Sequence, residues 1–509
     1  MKRRTLLLGG AAVAVAGAGA YLYSRPAIIG RSFAAGAGGD LLIPDVIEPG
    51  NGAKGELDAI TSSSSFLDGI KTRTMGYGQS YLGPVVRVKR GQTASMVVSN
   101  KTDAAITAHW HGLHTEGRND GGPQTAFQPG EKWSPELEID QPAATLWYHS
   151  HVHGETGPQV YAGLAGMMII DDPDAQPSGL PETYGIDDIP LIIQDRAFDE
   201  DGQLLYFSRG PAMMHGFRGG DILVNGGIRP KANVPAGLVR FRLLNGSNSR
   251  IYTFSFEDGR KFHQVGTDGG LLPAPIEKTS IVVAPAERVE IVVDFSNGNS
   301  TRLLSLPDFN DPMAGGMMGM GGMMGRMMGG NVSSPEALDE DENFEIMSFA
   351  VDKNHKAKVQ SLPSKIAGAP LEPQWGDPVK RRSFVLEMGM GGMMRGGNRN
   401  NFMSINGKSM EMDRIDVEAR LGETEFWHVQ STGIAHPFHI HGTSFKVLSH
   451  NGEALPYGQT GLKDVFLIRG EAEILVNFRK KASRETPFMY HCHILEHEDA
   501  GMMGQFTVR

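Results

Sequence analysis

The sequence predicts an all-β protein of three consecutive Greek-key β-sandwich domains, and three observations carry that prediction. First, a strand–turn–strand texture recurs: Val85–Lys89 leads through Gly91 into residues 94–100, residues 233–237 lead into 239–245, and residues 417–422 lead into 424–431. Period-two alternation bounded by Gly marks half-buried antiparallel strands. Second, the ends of the first and last units echo each other. Trp147-Tyr148-His149-Ser150-His151 matches Met489-Tyr490-His491-Cys492-His493, and Ala-Gly-Met-Met follows each, at residues 165–168 and 500–503. Third, no stretch sustains a strong helical period. Units spaced roughly 150 residues apart are duplicated domains rather than the short repeats of a solenoid.

Residues 1–34 are read as an export signal. Lys2-Arg3-Arg4 precedes Leu6-Leu7-Leu8 and a Gly/Ala/Val run that holds no acidic residue and closes on Ala18-Gly19-Ala20. The Arg3-Arg4 pair resembles a twin-arginine signal, which exports folded proteins, although Lys2 stands where Ser is usual and Leu6 where Phe is usual; the alternative is a general secretory signal with a chance Arg pair. The apolar run is near the minimum for a bilayer span, but its Gly and Ala content makes it a poor one. An exported, periplasmic monomer is expected, with no membrane contact beyond the signal. The three domains are placed at residues 40–175, 176–352 and 375–509. Two Met/Gly-rich segments, 313–330 in the second domain and 388–403 in the third, cannot build a packed core and are read as surface loops.

Composition narrows the chemistry. The 48 Lys and Arg against 58 Asp and Glu give a net charge of −10, which leaves no basic footprint for nucleic acid. One Cys excludes a disulfide framework and any multi-thiolate metal cluster. Beside it stand 17 His and 26 Met, which directs attention to soft and borderline metal ligands.

Four histidine clusters carry that chemistry: His109-Trp110-His111-Gly112, His149-Ser150-His151, His436-Pro437-Phe438-His439-Ile440-His441, and His491-Cys492-His493 with His497 and Met502. Alternate residues of a strand share a face, so each His-x-His pair points one way. Four such pairs converging from two domains can surround several metal ions. Cys492 must point the other way, where across the strand it can meet His436, His497 and Met502. Two His, one Cys and a weak axial Met form the ligand set of a blue copper electron-transfer site, with the thiolate held deprotonated by the metal. Zinc would need neither the Met nor the surplus imidazoles. The clusters take up ten of the 17 histidines. His114, His153, His215, His263, His355, His428 and His450 have no ligand spacing and are read as solvated or hydrogen-bonded, with His153 adjacent to a motif.

These residues resemble the multicopper oxidases, most specifically over residues 491–503, His-Cys-His-Ile-Leu-Glu-His-Glu-Asp-Ala-Gly-Met-Met. The resemblance spans all three domains and implies that each is cupredoxin-like, with four copper ions bound. It assigns the type 1 copper to His436, Cys492 and His497 with Met502 axial, and the type 2 copper to His109 and His439. One type 3 copper takes His111, His149 and His493, and its partner takes His151, His441 and His491. The middle domain has no histidines on the equivalent strand, residues 252–256, and looks like a spacer. The implied mechanism draws single electrons from a reductant at the type 1 site. They pass along the Cys492–His491 and Cys492–His493 linkages to the trinuclear cluster, where O2 takes four and becomes two waters. Asp120 and Glu498 stand where the family carries proton-relay carboxylates.

Within the family, the export signal, the Met-rich segments and Glu496-His497-Glu498-Asp499 look most like periplasmic copper-tolerance oxidases, which oxidise Cu(I) to Cu(II). Thioethers are soft ligands that select Cu(I), and a Met/Gly loop can wrap it without imposing geometry. One departure stands out. Those oxidases place an Asp and a Met before the His436 motif as a substrate site, whereas this chain has Thr432-Gly433-Ile434-Ala435. Met388, Met390, Met393 and Met394 are candidates to hold an additional labile Cu(I) instead. The alternatives are a laccase-like oxidase of phenols and aromatic amines, and, from another class, a copper-sequestering protein without catalysis.

Overall fold

A computed structural model describes residues 38–50, 52–208, 211–308, 338, 342–389 and 403–509. The signal segment 1–34, the Met/Gly segment 313–330 and Met390, Met393 and Met394 lie outside the described residues. Six sheets form three pairs in chain order. In the first pair, Val46–Ile47, Val85–Lys89, Ala165–Asp171 and Ala144–His149 form one sheet, and Thr72–Tyr77, Gly55–Ser64, Thr93–Lys101 and Lys132–Trp133 lie in the other. A seven-stranded and a five-stranded sheet make up the middle pair, and the same numbers recur in the last. This all-β architecture is the succession of three β-sandwiches that the repeats predict, and it fits the cupredoxin-like domains that the resemblance implies.

Each pair encloses its own apolar core. Leu57, Val98 and Leu146 lie in the first, Leu191, Phe241 and Phe254 in the second, and Trp427, Phe438 and Ile474 in the third. Strands with one wet face keep their alternation: along Phe445–His450, buried and half-buried residues strictly alternate. Asp188–Arg196 is buried throughout because both of its faces are covered. Ile189, Leu191 and Ile193 enter the middle core, while Ile192 enters a further cluster with Trp147, Ile169, Leu244, Val465 and Leu495. That cluster draws on all three domains and is the seam that holds them together.

Turn chemistry sets strand register. Asn225 and Gly226 have φ of 51° and 84° between the paired residues Val224 and Gly227. Positive φ at both central positions is the two-residue turn whose twist suits a hairpin, and Asn-Gly adopts it at least cost.

Two expectations need correction. The Ala-Gly-Met-Met echo is not a structural repeat. Tyr148 pairs with Gly166 but Tyr490 pairs with Gly504, so the second copy is offset by three residues. The two connections differ in length and each carries its own helix, Thr156–Ala162 in one and Leu495–Asp499 in the other. Secondly, the residue after Cys492 is no longer in a strand, and His497 rides on that second helix rather than across a sheet. Five-residue helices are too short to leave a periodic trace in sequence. Among the described residues, no helix is long and apolar enough to cross a membrane.

Candidate metal centre

The histidine clusters meet between the first and last domains. His109 and His149 are locked by a two-way backbone bridge, N–O 2.8 and 3.1 Å, with ring centroids 5.4 Å apart. In the last domain, His436–Ile440 runs antiparallel to Phe488–Cys492, placing His439 opposite His491 and Phe438 opposite Cys492. The pleat sends His439 and His491 to one side, rings 5.2 Å apart, and Cys492 into the apolar core beside Phe438. His111 stacks on His439 at 3.7 Å and His109 on His441 at 3.8 Å. His151 Nε2 and His441 Nε2 each come within 3.3 Å of His491 Nε2. His493, just past its strand, still reaches His111 and His149, with ring distances of 5.0 and 5.4 Å. Eight imidazoles from two domains therefore share one nest, and none is more than 1% exposed.

The ring nitrogens show what the nest is for. Nδ1 of His109, His149, His439 and His491 faces the backbone carbonyls of Asp120, Ser150, Asp464 and Cys492 at 2.8–3.0 Å, and Nδ1 of His441 faces Asp120 Oδ2 at 2.8 Å. A neutral imidazole that donates from one nitrogen presents a lone pair at the other. Inside the nest, Nε2 of His109, His149 and His439, Nδ1 of His111 and both nitrogens of His493 are buried without a partner. Each such orphan costs roughly 1–3 kcal/mol. Six in one cavity make a site that a bound cation satisfies. Burial drives the pKa of His151 and His493 down to about 3, and those of His111, His149, His439 and His441 well below their ordinary value. At neutral pH these rings are uncharged and hold their lone pairs for metal.

A second site lies on the other side of the strand. His436, Cys492 and His497 bring their ligand atoms within 4.8 Å of one another, with Cys492 Sγ 3.7 Å from His497 Nδ1. The Ile494 N–H donates to Sγ at 3.3 Å, and Ser431 Oγ holds His436 Nδ1 at 2.6 Å. Met502 is fully buried in the same core cluster, and its carbonyl accepts the Cys492 N–H at 3.1 Å. Burial pushes the Cys492 thiol well above its ordinary pKa, so only a bound cation would keep it as thiolate. A thiol among two imidazoles and a thioether is soft enough for copper and fits that metal.

Other three-ligand groupings within 4.8 Å are His151, His441 and His491; His109, His111 and His149; His109, His439 and His441; and His111, His439 and Asp464. The trio His111, His149 and His493 has ring separations of 5.0–5.7 Å. Both expected carboxylates touch the nest. Asp120, on the short helix Gly117–Asp120, lies 2.8 Å from His441 Nδ1 and 3.3 Å from His109 Nδ1. Glu498 Oε1 and Oε2 lie 3.4 Å from His151 Nδ1 and 3.2 Å from His491 Nδ1. Met388 ends the strand Lys380–Met388, its methyl against Gly433 in the loop that leads to His436.

Three features escaped sequence reasoning. Met213 packs on the core that holds Cys492 and Met502, with Met214 and His215 beside the His497 ring. Asp464 touches His111, and Arg288 of the middle domain pairs with Asp464. The middle domain is therefore more than a spacer. Asp464 left a faint signal, a charge opening the apolar run Val465–Ile468, whereas Arg288 left none.

Two family models described as multicopper oxidase match residues 59–175 and 387–509. A multicopper oxidase of Staphylococcus haemolyticus is 33% identical over 480 residues, covering 92% of each chain. A cell division protein, FtsP, of Xenorhabdus nematophila is 34% identical over 468 residues, also covering 92% of each. Among solved structures, the laccase-like multi-copper oxidase CueO of Ochrobactrum sp. is similar at TM-score 0.81 and 40% identity, over 92% of this chain and all of that one. That protein is described as having oxidase activity towards lignin model compounds and lignosulfonate. A multicopper oxidase of Campylobacter jejuni, described as a metallo-oxidase, is similar at TM-score 0.77 and 27% identity, over 93% of this chain and 95% of that one. With two copper-fitting sites joined through Cys492 and these relatives, the chain belongs to the multicopper oxidase family, a copper-dependent oxidase that uses O2 as electron acceptor.

Proposed function

We propose that the protein oxidises Cu(I) to Cu(II) and passes the electrons to O2, serving copper detoxification in the periplasm behind a twin-arginine export signal. The observation that carries this reading is the set of thioethers packed on the core that holds Cys492. Met388 lies against the loop before His436, and Met213 packs on the core that holds Cys492 and Met502. Soft, uncharged sulfur selects Cu(I), and Met is pliable enough to receive and release it. Residues 313–330 and 388–403 extend the same chemistry, with Met388, Met390, Met393 and Met394 as holders of a labile Cu(I).

Four resident copper ions are assigned. His436, Cys492 and His497 would hold type 1 together with Met502, and His109 and His439 would hold type 2. His111, His149 and His493 would hold one type 3 ion, and His151, His441 and His491 the other. Bound copper supplies one-electron redox chemistry at the first site and four-electron reduction of O2 at the cluster. The chain's share is positional. Cys492 is joined covalently to His491 and His493, so the two sites are bridged without a through-space gap. Glu498 turns its carboxylate oxygens to two Nδ1 atoms, and Asp120 turns Oδ2 to His441 Nδ1 at the other end of the nest, where each would relay protons.

A laccase-like reading is favoured by the Ochrobactrum relative and its lignin-derived substrates. Side-by-side kinetics of Cu(I) and a bulky phenol on the copper-loaded protein separate the two. The expected result is a higher kcat/KM for Cu(I), and a loss on deleting residues 313–328 that is greater for Cu(I) than for the phenol. Equal losses on both substrates would remove the copper-delivery role.

A further inference from the structure

Among the clustered rings His111 is inverted. Five neighbours engage Nδ1 and turn Nε2 inward, but His111 Nε2 faces Asp464 Oδ1 at 3.1 Å and leaves Nδ1 without a partner. A carboxylate only accepts, so the His111 proton sits on Nε2 and its lone pair on Nδ1. Asp464 is itself clamped. Arg288 Nη1 donates to Oδ1 at 2.7 Å and Nη2 donates to Oδ2, a bidentate fork. The fork is held in turn by the Thr145 carbonyl of the first domain (3.0 Å from Nε) and the Ala286 carbonyl (3.0 Å from Nη1). Asp464 and Arg288 are fully buried. Gly112 has φ of +86°, and a Cβ there would stand 2.5 Å from Asp464 Oδ2 and 2.7 Å from Arg288 Nη2. That contact explains the glycine of the His109-Trp110-His111-Gly112 motif.

We infer that Arg288 is a positioning residue of the copper cluster: by fixing Asp464 against His111 Nε2, it makes His111 present Nδ1 to the metal. The inference rests on the copper assignment proposed above. The middle domain thus sets the orientation of a ligand contributed by the first domain, through a carboxylate contributed by the last. Lys cannot substitute, because a point charge with one stem cannot span two carboxylate oxygens while meeting two carbonyls.

The test compares R288K and D464N with the wild type by copper stoichiometry, chelator competition and the visible and near-ultraviolet bands. The expected result is an unchanged visible type 1 band with a 10–100-fold loss of copper affinity, on the scale typical of lost ligand-orienting partners, confined to the cluster. The near-ultraviolet type 3 band should fall with it. The melting temperature of each copper-free variant reports folding separately. If R288K does not fold, D464N decides, since Asn preserves the volume and one acceptor. Loss spread equally over both sites, or no loss, overturns the inference. A wild type that binds fewer than four coppers would instead overturn the assignment.

Discussion

Glu498→Gln separates proton supply from metal binding. The amide keeps the side-chain volume but cannot exchange a carboxyl proton. His491 keeps its tautomer without it, because Nδ1 also faces the Cys492 carbonyl at 3.0 Å. Its Nε2 therefore still points into the nest, and copper should stay bound. Glu498 and the two rings that it faces, His151 and His491, are at most 1% exposed, so bulk water has no direct path to those Nδ1 atoms. Removing a positioned proton-relay carboxylate costs about 10²–10⁴ in rate, or about 2.7–5.5 kcal/mol at the barrier. The assay is stopped-flow spectroscopy. Anaerobic reduction of the type 1 band should match wild type, while reoxidation by O2 slows by that factor. Reoxidation within threefold of wild type, at full copper load, would refute the reasoning.

Asp120→Asn should also keep its copper while slowing O2 turnover, since an amide oxygen can still accept from His441 Nδ1; unchanged turnover in a fully loaded variant would discard the role. Cys492→Ser should abolish the visible band and oxidation of the outer substrate while leaving the clustered coppers, measured by optical and electron paramagnetic resonance spectra. Met213→Ala with Met388→Ala should raise KM for Cu(I) several-fold more than KM for a phenol. Acid should loosen the seam between the first two domains. Burial alone would raise the pKa of Glu290, but Arg240 and Arg242 outweigh it and hold it at about 2, against an ordinary 4.5. A depressed folded-state pKa contributes stability that is present above pH 4.5 and lost as pH falls through 2, on the order of 3 kcal/mol. Glu290→Gln should flatten that dependence in denaturation curves taken between pH 6 and pH 3.

Much of the site was legible because its ligands obey a local rule. His-x-His on a strand places both rings on one face, and Cys492 between two such histidines must face away; neither inference needs long-range knowledge. What failed was whatever depended on distant partners or on local geometry beyond a strand. Arg288 and Asp464 are 176 residues apart and meet only because three domains converge. The inverted ring of His111 follows from that meeting and has no trace in the residues around it. The Ala-Gly-Met-Met echo misled because four matching letters ignored the unequal helical connections before each returning strand. His497 was assigned a correct neighbour by a wrong route, since a five-residue helix rather than a strand delivers it.

The distribution of the eight rings along the chain has a consequence for biosynthesis. A ribosome that has made the first domain has supplied four of them, and two more appear at residues 439–441. His491 and His493 come late, together with the thiol. A truncated or half-built product thus lacks the deep end of the cavity and the sulfur that reports to it. Charging of the cavity with metal in this way waits until the first and last domains have both been made and have found each other.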